Sequence, residues 1–134
     1  MPNGDCQLPI FQTRTDAMNQ VELKQRTKEF ALRVMKLIDA LPSGRSGNAI
    51  GNQLVRSGTA VGANYRATCR SRSKAEFIAR MGVVEEEADE SAFWMELFIE
   101  GALLPEGKVT ALLQEANELT AIMAASRISA SRRR

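Results

Sequence analysis

Apolar residues recur at alternating intervals of three and four positions over four successive stretches of the chain, and this spacing constrains the fold more than any other feature. The stretches cover residues 23–41, 50–68, 77–98 and 109–123. Such spacing places the apolar side chains on one face of an α-helix. Proline and glycine separate the first two stretches, at Pro42 to Gly47, and the last two, at Gly101 to Pro105. Because the connections are short, the sequence predicts an all-α fold, an up-down-up-down four-helix bundle.

The predicted helices cover about residues 21–41, 47–68, 74–101 and 106–127. They form a single bundle domain over residues 20–127, as expected for a chain of 134 residues. Residues 1–19 mix proline, glycine, asparagine and glutamine without periodicity and are predicted to be a flexible N-terminal leader. Residues 128–134 end in three arginines and are predicted to be a basic C-terminal tail.

The sequence contains no signal for secretion or for insertion into a membrane. Residues 1–15 contain no apolar core of a signal peptide, and no apolar run approaches the ~18 residues that a membrane span requires. The two cysteines, Cys6 and Cys69, have neither metal-binding nor disulfide spacing and are expected to be free thiols. The sequence therefore predicts a cytoplasmic protein that does not contact a membrane.

Glycines interrupt the second apolar stripe, although each costs roughly 1 kcal/mol of helix propensity relative to alanine. A phosphate-binding loop would need a preceding strand and a lysine after the glycines, and the sequence offers neither. We therefore expect Gly58 and Gly62 to let a neighbouring helix approach closely, as small residues do in membrane helices. Asn64, on the same stripe, is predicted to be a structural polar residue that bonds a facing helix.

Carboxylates in the third and fourth helices raise the possibility of a magnesium site. The chain has no histidine, which excludes histidine-bearing zinc and di-iron sites and Ser-His or Cys-His nucleophiles. An all-carboxylate magnesium site remains, as in all-α nucleotide pyrophosphohydrolases. Its candidate ligands are Glu86, Glu87, Glu90, Glu115 and Glu118. A solvated acidic face is the competing interpretation, and we expect neither a metal nor another cofactor.

The segment AFWMELFI, residues 92–99, is apolar around most of the helix circumference. A helix that is apolar nearly all round is buried nearly all round, and a four-helix monomer cannot cover every face of one helix. We therefore predict a homo-oligomer interface. Its residues are Phe93, Trp94, Leu97 and Ile99. Packing of Phe93 and Trp94 under the turn that follows the third helix is the alternative.

Basic residues cluster where the second helix gives way to the third. The predicted binding residues are Arg66, Arg70, Arg72, Lys74 and Arg80. The net charge of the chain is only +2, so attraction to a polyanion requires a local patch of this kind. The corner suits phosphate groups, helped by the positive end of the third helix. The alternative is electrostatic balance of the helix ends and of the acidic third helix.

Two segments resemble a known family. NQLVRSGTAVGANYRAT (52–68) and RSKAEFIARMGVVEEEADESAFWMELF (72–98) are similar to the four-helix-bundle proteins encoded in intervening sequences of large-subunit ribosomal RNA genes. The resemblance implies a left-handed bundle, a ring-like homopentamer and no enzymatic activity. A related branch, the accessory proteins of diversity-generating retroelements, partners a reverse transcriptase and binds nucleic acid through a basic surface.

The sequence thus favours a non-catalytic oligomeric scaffold whose basic corner contacts RNA, DNA or an acidic partner protein. Repetition of that corner around a ring would let modest sites act together through avidity. The alternative is a magnesium-dependent nucleotide pyrophosphohydrolase that uses carboxylates of the third and fourth helices.

Overall fold

The computed structural model describes the backbone of residues 14–133 and the side chains of residues 20–133. Four helices account for nearly all of this part of the chain, which contains no strand. Helix α1 spans Arg14–Asp39, α2 Arg45–Thr68, α3 Lys74–Glu100 and α4 Glu106–Arg132. The predicted all-α four-helix bundle is confirmed.

Neighbouring helices in the sequence are also neighbours in space. Helix α2 packs between α1 and α3, and α3 packs between α2 and α4. Helices α1 and α4 close the bundle along a less extensive seam, while α1 and α3 lie diagonally across from each other. In this up-down-up-down order α1 and α3 run parallel. The C-terminal ends of α2 and α4 therefore lie at the same end of the bundle as the start of α3.

The core consists of the apolar stripes read from the sequence. All seven stripe positions of α3, from Phe77 to Phe98, and all five of α4, from Val109 to Met123, are buried. On α1 the stripe residue Thr27 is fully buried, and its hydroxyl donates to the carbonyl of Leu23 at 2.7 Å. The stripes of α3 and α4 are buried because their 3–4 spacing keeps them on the inward face throughout.

A polar pair joins α2 to α3 inside the core. The hydroxyl oxygens of Ser57 and Ser91 lie 2.9 Å apart, and both residues are fully buried. Ser91 also bonds the carbonyl of Glu87 on its own helix at 2.9 Å. Ser57 likewise bonds the carbonyl of Leu54 on its own helix at 3.3 Å, so both buried hydroxyls have partners, as buried polar groups require.

The inward face of α2 differs from the predicted stripe at its C-terminal half. Tyr65 is 3% exposed and occupies the inward position. Asn64 is half-buried, and its side-chain amide donates to the carbonyl of Ala60, one turn back on α2 itself, at 2.9 Å. The expected bond from Asn64 to a facing helix is thus replaced by a bond within its own helix. Tyr65 lies three residues after Gly62, on the side of α2 that packs against α1, so the buried face of α2 is wider than the predicted stripe.

Two glycines of α2 lie directly against α1. A Cβ atom added at Gly58 would lie 2.8 and 2.9 Å from the methyl groups of Val34. At Gly62 it would lie 3.3 Å from the backbone oxygen of Thr27. At these two positions the absence of a side chain is what allows α1 and α2 to approach each other as closely as they do.

The terminal helices are longer than the sequence pattern indicates. Helix α1 begins at Arg14, inside the segment interpreted as a leader, and residues 1–13 of that segment lie outside the described residues. Helix α4 continues to Arg132, through most of the segment interpreted as a tail. The α4 extension is stabilised by Ala130, which is 2% exposed. The apolar spacing did not predict this extension of α4, because a single alanine is a weak indicator of a buried helical face.

Candidate nucleic-acid interface

The corner between α2 and α3 is held by reciprocal capping bonds. Ser73 is the N-cap of α3, and its hydroxyl accepts from the amide of Glu76 at 3.0 Å. The carboxylate of Glu76 accepts from the backbone amide of Arg72 at 2.7 Å. That bond lowers the pKa of Glu76 below its ordinary value, against a smaller opposing effect of burial. The backbone that carries the basic side chains is therefore firmly positioned.

Three of the predicted binding residues are free to meet a ligand. Arg66, Arg70 and Arg72 are exposed, and within residues 20–133 none of their guanidinium groups forms a salt bridge. Arg66 is in the last turn of α2, where a cation also favours the negative end of the helix dipole. The other two lie on the connection just before α3, beside the positive end of that helix.

The remaining two predicted binding residues are engaged within the bundle. Arg80 pairs with Glu76 at 2.8 Å and contacts the carbonyl of Ala67 at 3.4 Å. The ammonium group of Lys74 donates to the backbone carbonyl of Arg133. These bonds hold α2 and α4 to the start of α3, so Arg80 and Lys74 support the corner and contribute charge to it.

The structure adds basic residues that sequence reasoning did not assign to the corner. Because α4 continues past residue 127, it brings the exposed Arg132 and the half-buried Arg133 to the end of the bundle that carries the α2–α3 corner. The guanidinium of Arg133 donates to the hydroxyl of Ser129 at 3.3 Å. The placement of Arg132 and Arg133 follows from the topology, because in an up-down-up-down bundle the fourth helix ends where the third begins.

Together with the five predicted binding residues, Arg132 and Arg133 form a set that we call the basic end. Its residues are Arg66, Arg70, Arg72, Lys74, Arg80, Arg132 and Arg133.

The structure separates the carboxylates considered as magnesium ligands. On one side, Glu87 and Glu90 of α3 pair with Arg56 of α2. Burial acts to raise the pKa of Glu90, but hydrogen bonds from Trp94 and Arg56 and the charge of Arg56 together outweigh it and lower that pKa. Glu86 is exposed on the outer face of α3.

On the other side of the bundle, Glu115 and Glu118 pair with Arg26 of α1, each at 2.7 Å. The hydrogen bond to Glu115 raises the pKa of the Arg26 guanidinium above its ordinary value. Among the described residues, no three carboxylate or thiol side chains are grouped so that they could hold a metal ion. The carboxylates instead form ion pairs that tie α2 to α3 and α1 to α4.

The four residues predicted to form an oligomer interface fall into two groups. Phe93 is 50% exposed, with its ring edge-on to that of Trp94 at 5.0 Å between ring centroids. Trp94 and Ile99 are half-buried and pack against the core from its flanks. Leu97 is also half-buried. Phe93 is thus the main apolar surface that α3 leaves uncovered.

In the described part of the chain, no helix is both long and apolar enough to cross a membrane.

Comparisons with known proteins agree with this architecture. A family model described as 23S rRNA-intervening sequence protein matches residues 19–125. Among solved structures, the chain is similar to a protein of unknown function from the S23 ribosomal protein family of Bacteroides thetaiotaomicron. The two are 26% identical with a TM-score of 0.74, over 81% of this chain and 96% of the other. A search of curated proteins finds no match.

Proposed function

The chain belongs to the 23S rRNA-intervening sequence protein family, and from this premise we propose that it is a cytosolic, non-catalytic oligomeric scaffold that binds nucleic acid by its phosphate backbone. The observation that carries the proposal is the group of three exposed guanidinium groups, on Arg66, Arg70 and Arg72, that form no salt bridge within the described residues. Arginine forks match the geometry of phosphate oxygens and bind them in pairs of hydrogen bonds.

The chemistry of the corner favours backbone contact over base recognition. Stacking of bases requires exposed aromatic rings, whereas the two aromatic residues nearest the corner, Tyr65 and Phe77, are both buried. Phosphate contacts made by arginine position a protein on nucleic acid without reading its sequence. The proposed ligand is therefore RNA or DNA of unrestricted sequence.

Oligomerisation is the second part of the proposal. The exposed ring of Phe93 supports an interface with further copies of the chain, and the family resemblance suggests five copies in a ring. Each copy would contribute one basic end. A strand that engages several of these ends at once would bind more tightly than a single corner allows, because the second contact is intramolecular.

The proposal predicts binding that weakens steeply with salt. Labelled single-stranded RNA and duplex DNA should each increase in fluorescence anisotropy with the full-length protein at about 50 mM salt, and the logarithm of the binding constant should fall linearly with the logarithm of salt concentration. Removal of divalent cations with a chelator should leave binding intact. Absence of binding to either probe at low salt would overturn the nucleic-acid contact and leave an acidic protein as the partner of the corner.

A further inference from the structure

The outer face of α3 is acidic around one exposed aromatic ring. Opposite its buried stripe, positions spaced by three and four residues carry Phe93 and carboxylates. We call this set the acidic face of α3. It consists of Glu86, Asp89, Phe93, Glu96 and Glu100, all of which are exposed. None of its four carboxylates forms a salt bridge with another residue of the described chain.

The outer face of α1 has the opposite character. Leu32 is 55% exposed and Met35 47% exposed, which makes them the largest apolar surface on the second half of this helix. Cations surround them. We call this set the basic face of α1, and it consists of Lys28, Leu32, Arg33, Met35 and Lys36. Its three cations likewise form no salt bridge within residues 20–133. Two acids border the face: Glu29, which accepts from Gln25 at 3.1 Å, and Asp39 at the end of the helix.

The two faces lie at the same height on the bundle. Helices α1 and α3 are parallel, and Leu32 lies seven residues before the end of α1 at Asp39. Phe93 also lies seven residues before the end of its helix, at Glu100. At a rise of 1.5 Å per residue, both side chains are about 10 Å from the same end of the molecule. Two copies placed side by side with parallel axes would therefore bring them to the same level.

The charges match at that level as well. Lys28 lies four residues before Leu32, and the equivalent position before Phe93 is occupied by Asp89. On the other side, Lys36 follows Leu32 by four residues, close to the level of Glu96. Like charges would meet at the end residues of the two helices, Asp39 and Glu100, and at Glu29, which borders the basic face close to the level of Asp89. Opposite charges flanking an apolar centre favour one partner and one register.

We infer that the acidic face of α3 of one copy packs on the basic face of α1 of a second copy, with Phe93 seated against Leu32 and Met35. This inference rests on the oligomeric scaffold proposed above and names the surfaces through which it assembles. The interface is heterologous, since each copy contributes a different face to each of its neighbours. Such contacts repeat with parallel axes and generate a ring when the rotation between copies closes.

A mixing experiment tests the inference with two variants of the full chain. Leu32→Glu disables only the face of α1, because it places a carboxylate opposite the acidic face. Phe93→Lys disables only the face of α3, because it places an ammonium group opposite the basic face. Both sites are exposed, so circular dichroism should show unchanged helix content. Each variant alone should have the mass of one chain by light scattering. An equimolar mixture should form assemblies of at least two chains, because one intact face of each kind remains and the two altered faces carry opposite charges.

The control is Ile128→Glu, which charges a residue of α4 that is 40% exposed and lies on neither face. It should assemble like the unmodified protein. If Leu32→Glu still assembles, or if the mixture of the two variants stays monomeric, the pairing of these faces is wrong. A monomeric unmodified chain would instead show that the oligomeric scaffold itself fails, so the two failures are distinguishable.

Discussion

Alanine at Gly58 is expected to destabilise the bundle, whereas alanine at Gly82 is expected to stabilise it. Both residues lie inside helices, so each replacement gains up to about 1 kcal/mol of helix propensity. At Gly82 the new Cβ would meet only the flexible side chain of Arg127, at 3.8 Å. At Gly58 it would lie within 3 Å of both methyl groups of Val34, which is fully buried and branched at Cβ. Overpacking of this kind costs about 1–3 kcal/mol, and that is the expected difference between the two variants in chemical unfolding.

A third substitution identifies the cause. Val34→Ala removes the two methyl groups that the new Cβ would meet, so Gly58→Ala should be far less harmful in that background than in the unmodified protein. Double-mutant cycles measure this coupling in the free energy of unfolding. If the effects of Gly58→Ala and Val34→Ala are additive, the close contact between α1 and α2 does not explain the glycine.

Removal of two charges from the corner is expected to weaken nucleic-acid binding far more than removal of two charges elsewhere. In the variant Arg70→Gln with Arg72→Gln, the slope of the logarithm of the binding constant against the logarithm of salt should decrease in magnitude by about 1.4–1.8. This range assumes one phosphate contact for each arginine, on single-stranded or duplex nucleic acid. Both guanidinium groups are exposed and outside any salt bridge in the described chain, so stability should barely change.

The matched control is Arg45→Gln with Lys108→Gln. Both residues are exposed and lie in the first turns of α2 and α4, at the opposite end of the bundle. The control has the same net charge as the corner variant, so it measures the effect of overall charge alone. Equal loss of affinity in the two variants would mean that the protein attracts nucleic acid through its net charge, without a defined corner.

Much of the fold could be predicted because it depends on spacing alone. The stripes of α3 and α4 contain a residue of the right size at every inward position, and neither helix contradicts its own pattern. On α2 the sequence predicted a bond from Asn64 to a facing helix, whereas Asn64 bonds Ala60 of its own helix and Tyr65 is buried in the core. The two are adjacent, and the stripe pattern does not show that the buried face of α2 extends to the side that packs against α1.

The candidate site was only partly visible in the sequence. The basic corner and its capping bonds follow from residues that are close together in the chain, such as Ser73 and Glu76. Ion pairs between helices do not, because the partner of a charge depends on how each helix is rotated in the bundle. Arg26 meets Glu115 across 89 positions of sequence, and Lys74 meets the backbone of Arg133. A periodic pattern carries no information about either contact.

The two ends of the molecule have different proposed roles. One end carries the arginines proposed to hold phosphate groups, while the exposed apolar residues proposed to join copies, Phe93 and Leu32, lie toward the other end. Parallel packing of copies would place every basic end on the same side of the assembly. Scaffold assembly and nucleic-acid binding can therefore be disrupted separately by substitutions on different surfaces.

The most direct test of the scaffold is its mass in solution by light scattering, at low and at high salt, with and without short RNA and DNA. The account predicts a mass near five times the 14.7 kDa of one chain, which increases with nucleic acid at low salt and returns to the protein value at high salt. A mass of one chain under all conditions would contradict it.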